Sequence, residues 1–153
     1  LAWLRSSGVA ARVFLNLPLR KQVEFSVVLM LAGLAEAGLR VLPLPRVARL
    51  FGIGYSEPSS TPEPTRTGDV QLPSWAIGRC RTVNSVMRRW PVDGTCLRQS
   101  LVAGQRLRRL SPELVVGVRR NEQGAVEAHA WLRIDGVSLD PNSDAFHELP
   151  PAS

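Results

Sequence analysis

Lysine is almost missing from this chain: Lys21 stands alone beside 18 arginines. The basic excess, 19 residues against 13 acidic ones and +6 in all, is therefore carried by guanidinium groups. Such a balance favours an acidic partner, and it equally fits an arginine-favouring genome. Cysteine is scarce too. Cys80 and Cys96 are the only two, and no Cys-x-x-Cys pair exists, which argues against a thiolate zinc site. Long apolar runs are also lacking. The longest uncharged one, Phe25 to Ala35, covers eleven residues, where about twenty are needed to cross a bilayer. No signal segment of basic, apolar and small-residue parts opens the sequence. There is no internal repeat and no extended low-complexity tract. These absences predict a soluble protein with no membrane span, in a reducing, cytoplasmic setting, and give no reason to expect a metal or a cofactor.

What is present is enough for one ordinary domain: 153 residues, 44% of them apolar. Three parts emerge. Residues 1–54 are apolar and helical in pattern. Pro18 suits a first helical turn, and Val23, Val27, Met30, Leu31, Leu34 and Leu39 recur at helical spacing behind it. Pro43 and Pro45 stop that helix; a short one from Pro45 to Phe51 follows, with Gly52 placed to end it. Residues 55–73 hold four prolines and a cluster of Ser and Thr, which reads as a linker or mobile loop. Residues 74–153 look like the working half. Ser74 is a candidate cap for a helix running to Trp90, with a stripe of Ala76, Cys80, Val83, Met87 and Trp90, ended by Pro91. The loop PVDGT leads to a second helix beginning near Cys96, whose inner face is Leu97, Leu101, Gly104 and Leu107. Strands follow: β-branched 113–120, then 125–134 with period two, which sets His129 and Trp131 on the face opposite Ala130 and Leu132. Asp135-Gly136 is a hairpin turn signal, and 137–140 is the return strand.

Cys96 falls in the first turn of a helix, where unpaired N–H groups and the helix dipole lower a thiol pKa from about 8.5. Cys80 sits mid-stripe and reads as core. If Asp135-Gly136 makes a two-residue turn, Asp140 shares the sheet face of His129 on the diagonal, about 7–8 Å away at the backbone. An aspartate there can accept the Nδ1 proton and hold the ring in its working tautomer; a one-residue slip would turn it to the other face. Asn142 is the alternative orienter. A thiolate, an imidazole and an orienting group are what a cysteine hydrolase needs. The backbone N–H of Cys96 is a generic candidate for an oxyanion donor. The chain order, Cys helix then His strand then Asp strand, is that of papain-like and transglutaminase-like enzymes. It predicts an α+β fold, with N-terminal helices packed on a minimal core of a Cys-bearing helix against a small antiparallel sheet.

The strings Cys96-Leu97-Arg98-Gln99-Ser100, Val116-Gly117-Val118-Arg119 and His129-Ala130-Trp131, the last leading to an Asp-Gly turn, resemble the lasso-peptide maturation proteases. These are the stand-alone protease halves of B-type proteins in the transglutaminase-like superfamily. The likeness covers roughly residues 75–150; the N-terminal half shares only general character. It implies removal of the leader from a ribosomally made precursor peptide, by a triad of Cys96, His129 and Asp140. It also implies two partners, a separate leader-binding protein and an ATP-dependent cyclase acting afterwards. Two rivals stand beside this reading. One is an acyl transferase using the same triad with an amine in place of water. The other is a non-catalytic basic binding module, which gives no reason for the three residues to converge. Bland readings suffice for the rest: His147 as surface, Arg106, Arg108 and Arg109 as a solvated helix end, and Trp75, Trp90 and Trp131 as core or cleft wall.

Overall fold

A computed structural model describes residues 18–55, 71–88 and 95–149. Trp90, Pro91 and most of the 55–73 linker lie outside these residues. Among the described residues the fold is α+β, four helices and a five-stranded sheet, with the helix Thr95–Arg106 lying on the sheet and the helices Leu19–Val41 and Ser74–Met87 packing on it in turn.

Helix α1 spans Leu19–Val41, with Pro18 in the cap position and not in the first turn. Its buried side is Val28, Leu31, Ala32 and Ala35. The expected stripe divides: Leu31 is buried and Val27 and Leu39 pack against the core, whereas Val23, Met30 and Leu34 are each more than half exposed. The helix is apolar nearly all round, so periodicity does not select a face; close approach of neighbouring helices does, and it takes the alanines. By length and composition α1 could cross a membrane, with a mean hydropathy of 1.4 over its best window. Within that window 22% is buried inside the fold, and toward the end of the helix Glu36 is ion-paired with Arg98 of another helix and with Arg40 one turn on. The Arg98 hydrogen bond holds the Glu36 carboxyl below its usual pKa.

Pro43 caps α2, Leu44–Leu50. Gly52, at φ +69°, supplies the left-handed residue that ends it. The chain then inserts buried Ile53 into the core and adds strand β1, Gly54–Tyr55. Helix α3 spans Ser74–Met87; Pro73 holds its cap position, and Ser74 makes no side-chain cap bond. Ala76, Val83 and Met87 are buried as the stripe requires, with Cys80 half-buried beside them. Trp75 is not core: it is 39% exposed beneath the Arg79 guanidinium, 4.9 Å from the ring centroid. Helix α4 is Thr95–Arg106, with Leu101, Val102 and, just past its end, Leu107 fully buried.

Strands β2 (Glu113–Arg120) and β3 (Val126–Ile134) form the long antiparallel pair. Asp135 and Gly136 both have positive φ, the requirement of a tight primed turn. Strand β4 is Val137–Ser138, with Ile134 opposite Val137 and Arg133 opposite Ser138. Strand β5, His147–Glu148, pairs with β2. Because β1 runs parallel to β2, the sheet is mixed and not purely antiparallel. Of the three two-residue strands, β1 and β5 arise from tertiary docking, and no sequence period marks them.

Gly104 shows how tightly α4 sits on this sheet. A Cβ there would lie 2.6 Å from Ile53 Cδ1 and 3.2 Å from Leu132 Cδ2. Gly104→Val should therefore destabilise the chain by about 1–3 kcal/mol through overpacking, read as a lower thermal midpoint. An unchanged midpoint would show that α4 has room to move.

Candidate active site

The alternation of β3 divides its residues between two faces. Ala130, Leu132 and Ile134 enter the main core under the helices, whereas His129, Trp131 and Arg133 point to the other side. On that side a Gly117 Cβ would meet Trp131 at 2.7 Å and the His147 carbonyl at 2.9 Å. Gly117 is thus the residue that lets the indole lie flat across β2, directly opposite His129 in register.

His129 Nε2 and Asp140 Oδ2 are 2.5 Å apart, with the two side chains 26% and 23% exposed. The shared face and diagonal approach expected from the Asp-Gly turn are present, but the nitrogen differs. The far Nε2, not Nδ1, meets the carboxylate. The return strand is shorter than 137–140 for a local reason. The buried Ser138 hydroxyl accepts from the Asp140 N–H at 3.1 Å and donates to the Asp140 carbonyl at 3.0 Å. Pro141 follows, with no N–H for a ladder. Ser138 is a positioning residue that the sequence did not single out.

The imidazole hydrogen-bonds to Asp140, and the backbone N–H of Asn142 donates to Asp140 Oδ1 at 2.9 Å. Burial by itself would raise the Asp140 pKa. The hydrogen bond from His129, together with the donors of Asn142, outweighs it and holds the carboxyl below its ordinary value. Asp140 is therefore ionised at neutral pH, and the Nε2–H of His129 donates to it, which leaves Nδ1 for other work. Because folding lowers its pKa, Asp140 stabilises the fold above the unfolded value of about 3.9, and that contribution is lost as pH falls through the lower folded value. Thermal unfolding at pH 7 and pH 3 should show a smaller acid loss for Asp140→Asn than for the parent chain; equal losses would contradict this.

Cys96 is half-buried in the first turn of α4. Among the described residues no hydrogen bond joins it to His129. The two are related through their elements. Gly104 lies against Leu132, and one turn back the buried Ser100 hydroxyl donates to the Ala130 carbonyl at 3.0 Å. Past Leu132, β3 has no ladder partner on the β4 side among the described residues.

The two thiols differ in setting. Burial raises the pKa of Cys80, which is mid-helix against the core. Iodoacetamide near neutral pH should alkylate Cys96 well before Cys80, as peptide mapping by mass would show; equal rates would reject the distinction.

Of the other residues weighed from sequence, His147 is exposed on β5. Arg108 and Arg109 are exposed, while Arg106 is half-buried and its carbonyl accepts from Arg79 at 2.7 Å. Trp131 is 3% exposed and borders the imidazole. Phe146, unremarked in the sequence, touches it too.

A search of curated proteins returns no match, and neither does a search of solved structures. The family model described as the transglutaminase-like superfamily matches residues 38–150, a span that takes in α2–α4, the whole sheet and Cys96, His129 and Asp140. With most of its length inside that match, the chain belongs to the transglutaminase-like superfamily.

Proposed function

We propose that this chain is a cysteine peptidase that removes the leader from a ribosomally synthesised lasso precursor peptide. Cys96 is its nucleophile, His129 its general base and Asp140 the group that orients His129. The superfamily includes cysteine peptidases and acyltransferases. The observation that carries the reading is the Nε2–Asp140 hydrogen bond, which fixes one nitrogen as donor and leaves the basic Nδ1 for a thiol proton. The lasso assignment rests on the Cys-Leu-Arg-Gln-Ser, Val-Gly-Val-Arg and His-Ala-Trp strings.

In this mechanism the Cys96 proton passes to His129 Nδ1, and the thiolate adds to the carbonyl carbon of the scissile amide. The imidazolium then returns its proton to the leaving nitrogen as the C–N bond breaks. The leader is left as a thioester, and the core peptide leaves with a free amine. His129 next takes a proton from water, whose oxygen displaces the thiolate and releases the leader as an acid. Asp140 stabilises the imidazolium in both halves. An amine in place of that water would give acyl transfer by the same groups.

Cleavage is assigned to this chain and delivery of the leader to a separate binding protein. The ATP-dependent cyclase then closes the released core. The test is mass spectrometry of a candidate precursor incubated with the chain and the leader-binding protein. Leader acid plus core amine supports the peptidase; a leader joined to an added amine supports the transferase; an unaltered precursor defeats both.

A further inference from the structure

A histidine ring is poorly fixed by its own torsions, because χ2 at an sp³–sp² bond is broad and roughly two-fold. One hydrogen bond to Asp140 holds an edge of the His129 ring but leaves it free to rock about that contact. Two aromatic rings occupy the remaining space. Trp131, from the same strand, lies 6.0 Å away at an interplanar angle of 25°. Phe146, from the segment that follows Asp140, lies nearer, at 5.0 Å and 35°. The two rings also touch one another, at 6.3 Å.

Phe146 is itself held. The Arg119 guanidinium lies 4.7 Å from its ring centroid. Arg119 is tied to Glu127 by Nε and Nη2 contacts of 2.8 Å each, and Asn121 Nδ2 donates to the other Glu127 oxygen at 3.2 Å. The Phe146 N–H donates to the Ser143 carbonyl at 3.0 Å, within the short turn that starts from Asp140. One segment, 140–146, thus delivers both the carboxylate that meets the edge of the ring and the phenyl that meets its face.

We infer that Phe146, locked by the Arg119–Glu127 pair, is a positioning residue that sets the plane of the His129 ring and so aims Nδ1. The inference rests on His129 acting as the general base. Phe146 touches no reacting atom; it acts through the imidazole. An exposed ion pair adds little stability of its own, so Arg119 serves here by restraining the phenyl.

The test uses the full chain with leader-binding protein and precursor, and compares Phe146→Ala, Phe146→Tyr and Arg119→Gln. Phe146→Ala should lower kcat by about 10- to 100-fold, the scale of a misaligned catalytic group, with KM nearly unchanged. Phe146→Tyr should recover most of the loss. Nitrogen-15 NMR of the imidazoles gives a readout independent of turnover, since the chain has only two histidines. His129 should show one tautomer, Nε2–H, in the parent chain and a mixture in Phe146→Ala. An unchanged tautomer in that variant overturns the inference, as does a KM effect without a kcat effect. If Phe146→Ala fails to fold, Arg119→Gln decides: on a 43%-exposed side chain it should leave the fold intact and lower kcat several-fold, and no change in either kcat or the imidazole spectrum overturns the lock. If the parent chain cleaves no precursor, the peptidase reading fails, and the imidazole spectra still decide whether Phe146 orders the ring.

Discussion

His129→Ala should abolish leader removal while the chain stays folded. Loss of a general base costs about 10²–10⁴-fold, and more where the same group activates the nucleophile. The fold should survive because His129 is on the sheet face away from the main core, with its side chain a quarter exposed. Its removal leaves Asp140 a carboxylate that can reach water and still accepts from Asn142. Cys96→Ala should be at least as damaging, since no thiolate remains to attack. Each variant should keep its thermal midpoint within a few degrees. The measurement is precursor turnover by mass, alongside a melting curve. Turnover within tenfold of the parent chain in either variant would remove that residue from the mechanism.

Leader cleavage should be slow with the chain alone and accelerate, on the order of 10²-fold, when a separate leader-binding protein is added. The physical reason is effective concentration. Tethering the leader on a docked partner raises the local concentration of one scissile bond to roughly millimolar for a short connection, with no new contact at the chemistry. A leader-deleted substrate should lose the acceleration entirely. Equal rates with and without the partner, or equal cleavage of leader-deleted peptide, would show that the chain reads its substrate unaided.

The sequence made the two long strands and the turn after them legible. Residues 113–120 match β2, the 125–134 alternation matches β3 save that the strand starts at Val126, and Asp135-Gly136 set Ile134 opposite Val137. The period of two is a local property, and a turn that needs two positive φ values names its own residues. From that register it followed that His129 and Asp140 share a face. The α1 inner face was only half legible: Leu31 is buried and Val27 and Leu39 pack on the core, as expected. Val28, Ala32 and Ala35 are buried while Val23, Met30 and Leu34 are exposed, because an apolar helix offers several equivalent stripes and only its neighbours choose among them.

What the sequence determined by itself was the α+β class, the placement of Cys96 at a helix start and the His129–Asp140 face, all of which follow from short-range spacing. The tertiary structure decided the rest. It chose which imidazole nitrogen meets the carboxylate. It brought Phe146 against His129 and Arg119 over Phe146. It added β1 and β5 as two-residue strands. Each of these joins residues distant in the chain through packing or a single side-chain hydrogen bond, and such contacts leave no period in the sequence to read.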